Sequence, residues 1–179
     1  MGQHSQTLAL LHTKEPISMQ SIILGVGELG ASRTPGSEIK TYALGSCVAV
    51  VLYDAANKVA GMVHVALPDS TINTKRAEEL PGYFADTGIA SLIKSLGALR
   101  GMPGGKGLTA RITGGANVMK AQAAFNIGER NIVAVRKELG KYSLTPVRED
   151  VGGNISRTVS VDLNGQLMIT SPGRGQWML

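Results

Sequence analysis

The chain has 179 residues, 43% of them hydrophobic and 17% charged, which is enough for one domain with a buried core and excludes a disordered chain. Its net charge of +5 favours acidic partners. With no run of Lys or Arg and no aromatic residues interleaved with basic ones, a nucleic-acid groove is not expected. The single cysteine excludes an internal disulfide and suits the reducing cytoplasm.

Residues 1–18 read as a flexible tail, apolar only over residues 8–11, which is too little for a signal peptide. No segment approaches the ~18–20 apolar residues of a membrane span, so membrane insertion is not expected. A strand is predicted at Ser21 to Leu24. The stretch "GVGELG" that follows, Gly25 to Gly30, fits a dinucleotide fingerprint, but Pro35 and Gly36 break the helix such a motif must open. It reads as a glycine-rich loop. Two apolar, Val-rich runs, Cys47 to Tyr53 and Val59 to Leu67, form a predicted hairpin closed by the turn "DAAN" at Asp54 to Asn57. Apolar on both faces, this hairpin belongs inside the domain.

A polar loop follows from Asp69 to Phe84. A helix is predicted from Asp86, with Ile89, Leu92, Ile93, Leu96 and Leu99 as its apolar stripe. Leu108 to Thr113 reads as a strand running into "GGAN", and "NIGERNIVAVRKELGKY" as a second helix. Two or three strands finish the chain, with Asn164-Gly165 suggesting a two-residue hairpin turn. Residues 19–171 are expected to form one domain and residues 172–179 a C-terminal tail.

If Asp54 pairs with Asn57, partner numbers along the hairpin sum to 111, and Cys47 lies directly opposite His64. A histidine beside a cysteine promotes the thiolate and can protonate a leaving group. Gly45 and Ser46 leave little cover in front of the thiol, and backbone N–H groups at that turn can stabilise an oxyanion. A third group should orient the imidazole. Thr41 is a candidate, but spacing does not select it over Ser46, Asp69 or Ser70. One cysteine and one internal histidine do not fill a tetrahedral metal site, so no metal is expected.

Several motifs together resemble the CheD family of chemoreceptor glutamine deamidases. They are Thr41 six residues before Cys47, "LGSC" at Leu44 to Cys47, His64 seventeen residues after Cys47, and "LPDS" at Leu67 to Ser70. Further on come "GGA" at Gly114 to Ala116, "FNIGERN" at Phe125 to Asn131 and "EDVGGNISRTV" at Glu149 to Val159. The resemblance implies an α+β fold, mixed β-sheets packed as a sandwich with flanking helices, similar to bacterial deamidating toxins. It implies a cysteine hydrolase that converts receptor glutamines to glutamate without a cofactor, with Cys47 as nucleophile, His64 as base and acid, and Thr41 as third member. Ser46, Gly114 and Gly115 are expected to shape the site. The implied partners are chemoreceptor cytoplasmic domains and a chemotaxis phosphatase of the CheC type. Two rival readings are a regulatory module that docks such a phosphatase with little catalysis, and a redox-sensing thiol. The second lacks a resolving cysteine in the chain.

Overall fold

The computed structural model describes residues 20–118 and 126–179, so the tail expected over residues 1–18 lies outside it. Among the described residues, ten strands form two sheets. The first is ordered β1 (Gln20–Leu24), β3 (Ser37–Leu44), β8 (Arg157–Asp162), β9 (Leu167–Ser171), β10 (Gly175–Met178). The second is ordered β2 (Leu29–Ser32), β5 (Val59–Val65), β4 (Val48–Asp54), β6 (Thr109–Gly114), β7 (Pro146–Val151). Each sheet is antiparallel except for one parallel pair, β1 with β3 and β6 with β7. The short helix α1 (Thr74–Glu79) and the longer α2 (Ala85–Arg100) and α3 (Ile127–Gly140) complete the α+β sandwich.

The two-sided hydrophobicity of β4 and β5 explains the layering. Every residue of both strands is buried. Val48, Val50, Leu52, Val63 and Val65 pack with Ile89, Leu92 and Leu96 of α2 and with Ile132, Val135 and Leu139 of α3. The alternate residues Ala49, Val51, Tyr53, Ala60 and Met62 pack with Ile39, Val159, Val161 and Ile169 of the other sheet. The hairpin is thus the middle layer, with helices on one face and a sheet on the other, as strand alternation requires.

The structure corrects several expectations. The β4–β5 register pairs Asp54 with Val59 and Ala49 with His64, so partner numbers sum to 113 and Cys47 is not directly opposite His64. Asp54 does close the turn, accepting bonds from the Asn57 backbone and side chain at 3.0 and 2.9 Å. The loop nevertheless runs through Lys58, which takes a left-handed φ of 52°. The last hairpin is also one residue longer than expected. Val161 pairs with Leu167, and Gly165 takes a φ of 74° in a three-residue connection. The C-terminal residues expected as a tail instead form β10, with Trp177 and Leu179 packed on the inter-sheet core. The glycine-rich "GVGELG" segment is a turn leading into β2, and the polar loop holds α1 between two single-turn 3-10 helices.

Candidate functional site

His64 on β5 and Thr41 on β3 both point between the sheets. The Thr41 hydroxyl lies 2.7 Å from His64 Nδ1 and donates to the Leu24 carbonyl at 2.9 Å. With its proton committed to Leu24, the hydroxyl accepts from Nδ1–H. The ring is then the Nδ1–H tautomer with its Nε2 lone pair free. Nε2 is buried and has no hydrogen-bond partner among the described residues. Of the four candidate orienting groups, Thr41 is the one that bonds the His64 ring. Asp69 instead accepts from the Thr71 backbone at 2.8 Å, and Ser70 donates to Asp86 at 2.6 Å.

The strand carrying Thr41 is distorted just beyond it. The β3–β8 register shifts between Thr41 and Leu44, and Ala43 adopts a left-handed φ of 55°. A bulge of this kind ends the ladder and redirects the chain, here into the "LGSC" turn.

Cys47 immediately precedes β4. It lies two residues from Ala49 and therefore shares the His64 face, on the diagonal rather than opposite. Diagonal neighbours stand roughly 7–8 Å apart, within reach of side-chain rotation. Cys47 is partly buried against the inter-sheet core and makes no hydrogen bond with Nε2. The structure thus brings Thr41 and His64 into contact and sets Cys47 beside them, unbonded.

Gly114 and Gly115 shape the cysteine turn by close approach. A Cβ on Gly114, which has a φ of 113°, would lie 2.3 Å from the Cys47 carbonyl oxygen. Gly115 donates its N–H to that same carbonyl at 2.7 Å, so this amide is committed to the turn and is not a free oxyanion donor. The Ala116 N–H bonds the Gly45 carbonyl at 2.7 Å. The Ser46 carbonyl accepts from Asn131 Nδ2 at 2.9 Å, and the same Nδ2 bonds the Ala66 carbonyl at 2.9 Å. No role for Asn131 follows from the sequence alone. Its signals in the sequence are its place at the end of the "FNIGERN" motif and a polar residue on the helix face carrying Gly128 and Ile132.

Burial sets the electrostatics. It pushes the Cys47 thiol above its usual range, while the residue's own backbone N–H pulls the other way. It lowers His64 to about 4. The resting pair is a neutral thiol and a neutral imidazole, not a preformed ion pair.

The family model described as CheD chemotactic sensory transduction matches residues 66–171. The chain is 54% identical over 162 residues to "Probable chemoreceptor glutamine deamidase CheD" of Syntrophotalea carbinolica, covering 90% of this chain and all of that protein. It is 41% identical over 160 residues to the Solibacter usitatus protein of the same name, covering 87% of this chain and 92% of that one. It is 38% identical over 155 residues to "Chemoreceptor glutamine deamidase CheD" of Thermotoga maritima, covering 86% and 94% of the two chains. This chain belongs to the CheD family. The family-model match begins after His64, whereas a 162-residue span of a 179-residue chain necessarily takes in Thr41, Cys47 and His64.

Proposed function

We propose that this protein deamidates glutamine side chains of chemoreceptor cytoplasmic domains through a thioester on Cys47. The observation that carries the reading is the Thr41–His64 bond of 2.7 Å, which leaves Nε2 as the free lone pair on the face shared with Cys47. A neutral imidazole is a competent base, and a thiol held protonated by burial needs one. Catalytic hydrogen bonds are often long without substrate and tighten when it binds, which suits the unbonded thiol.

His64 Nε2 takes the Cys47 proton as sulfur attacks the amide carbon, giving a tetrahedral oxyanion. The intermediate collapses as His64 returns the proton to the leaving nitrogen. Ammonia departs and a thioester remains. Nε2 then takes a proton from water as its oxygen attacks the thioester carbon. The carbon–sulfur bond breaks, the proton passes to sulfur, and glutamate is released. No cofactor enters the cycle. Thr41 holds the imidazole tautomer throughout. The net positive charge suits an acidic receptor surface.

The test is incubation with a chemoreceptor cytoplasmic fragment, following ammonia release and glutamine-to-glutamate conversion by peptide mass mapping. Conversion is expected with the wild-type protein and not with Cys47→Ala. Full conversion by Cys47→Ala would overturn the mechanism. Binding of receptor or of a CheC-type phosphatase without conversion would favour the docking module.

A further inference from the structure

We propose that Asn131 is a positioning residue that fixes the Ser46–Cys47 peptide so that the Cys47 N–H serves as an oxyanion donor; this rests on the thioester reading above. Asn131 is fully buried, and its Nδ2 bonds the Ser46 and Ala66 carbonyls, each at 2.9 Å. Two carbonyl partners settle which end of the amide is nitrogen, since an oxygen there would face two acceptors. Its Oδ1 is buried with no partner among the described residues, a cost that a purely space-filling residue would not carry.

The two carbonyls lie at informative places. Ser46 O belongs to the peptide whose N–H is that of Cys47. In a trans peptide these groups point in opposite directions, so a carbonyl pinned toward Asn131 holds the Cys47 N–H away from it. That N–H bears on its own thiol and favours the sulfur anion. As the sulfur attacks an amide carbon, negative charge moves to the amide oxygen beside it, within range of the same N–H. Ala66 O is two residues past His64. One side chain therefore ties the backbone of the expected nucleophile to the strand of the expected base.

Helix α3 is placed for this task by close packing. A Cβ on Gly128 would lie 2.3 Å from the Gly115 carbonyl oxygen, so only glycine lets the helix approach the "GGA" segment this closely. Asn131 sits one turn later on the same face. Without its two donors, the Ser46 carbonyl loses its anchor and the peptide can rotate, turning the amide out of the site.

The experiment compares wild type, Asn131→Ala and Asn131→Ser for receptor-fragment deamidation and for the pH dependence of Cys47 alkylation by iodoacetamide. In folded variants, kcat is expected to fall on the order of 10²-fold with KM little changed, as for loss of one oxyanion donor. The alkylation midpoint is expected to move to higher pH, because the sulfur anion loses its amide. A residue needed only for stability would lower the melting temperature and leave both readouts unchanged, which would overturn the proposal. Failure of both variants to fold would overturn it too, by assigning Asn131 to general stability. An inactive wild type with an alkylation shift in the variants would separate failure of the deamidase reading from failure of this one.

Discussion

A neutral His64 is the residue-scale feature with the clearest consequence. Its pKa is lowered by burial to about 4, whereas in the unfolded chain an imidazole titrates near ~6.5. Between those values the unfolded state binds a proton that the native state does not, so stability rises with pH across that window. The contribution is fully present above about 6.5 and lost as pH falls toward 4, amounting to about 3 kcal/mol. His64→Gln should therefore flatten the loss of urea stability between pH 6.5 and 4 relative to wild type. Equal slopes in the two proteins would contradict the buried neutral histidine. For the same reason, the acid limb of kcat/KM should lie near 4 rather than near ~6.5. Much of this site was legible residue by residue. Strand alternation keeps Cys47 and His64 on one face for any even shift of register, so a partner sum of 113 instead of 111 preserved the juxtaposition while changing its distance. Asn131 stands in the "FNIGERN" motif, but its contact with Ser46 was not legible, because it spans 85 residues and depends on how helix α3 docks.

At the scale of elements, the β4–β5 hairpin is anchored by an ion pair that its sequence hides. Arg100, the last residue of α2, donates from Nε to Asp54 Oδ2 at 2.6 Å, with side chains 0% and 3% exposed. Arg100 also bonds the carbonyls of Gly104 and Lys106, so one guanidinium joins the helix end, the following loop and the turn of the central hairpin. Burial pushes the Asp54 carboxyl up, but bonds from Asn57 and Arg100 outweigh it and hold the carboxyl below its ordinary range. Removing one partner leaves the other charge buried and unpaired. Arg100→Ala should cost about 3–5 kcal/mol in urea unfolding. A loss below about 1 kcal/mol would mean that water reaches Asp54 as at a surface pair. The hairpin itself was readable from its doubly apolar strands and its Asp-closed turn. Its loop length was not, since Lys58 enters the left-handed region without the glycine or asparagine that usually signals it.

The whole molecule is held across its two sheets by more than apolar packing. Trp177 on β10 belongs to the first sheet, yet its indole N–H donates to Asp150 Oδ2 on β7 of the second at 3.0 Å. Asp150 Oδ1 accepts from Arg157 Nη2 at 2.8 Å, and Arg157 Nη1 bonds the Gly152 and Ile155 carbonyls at 3.1 and 3.3 Å. The Gly152 N–H in turn bonds the Gly114 carbonyl at 2.8 Å, on the glycine that presses against Cys47. Residues 172–179 are expected as a tail because they lie outside the motifs that carry the family resemblance. Tryptophan, however, buries best where its ring is covered and its N–H is satisfied, and the chain reaches back to supply both. The C-terminal strand should therefore unfold with the rest of the protein instead of fraying first. Trp177 is the only tryptophan, so its fluorescence reports this strand alone, while far-UV circular dichroism reports the whole fold. The two transitions in urea are expected to coincide. An earlier fluorescence transition would show that β10 opens as a separate, weaker unit and that the link to Asp150 does not couple the sheets.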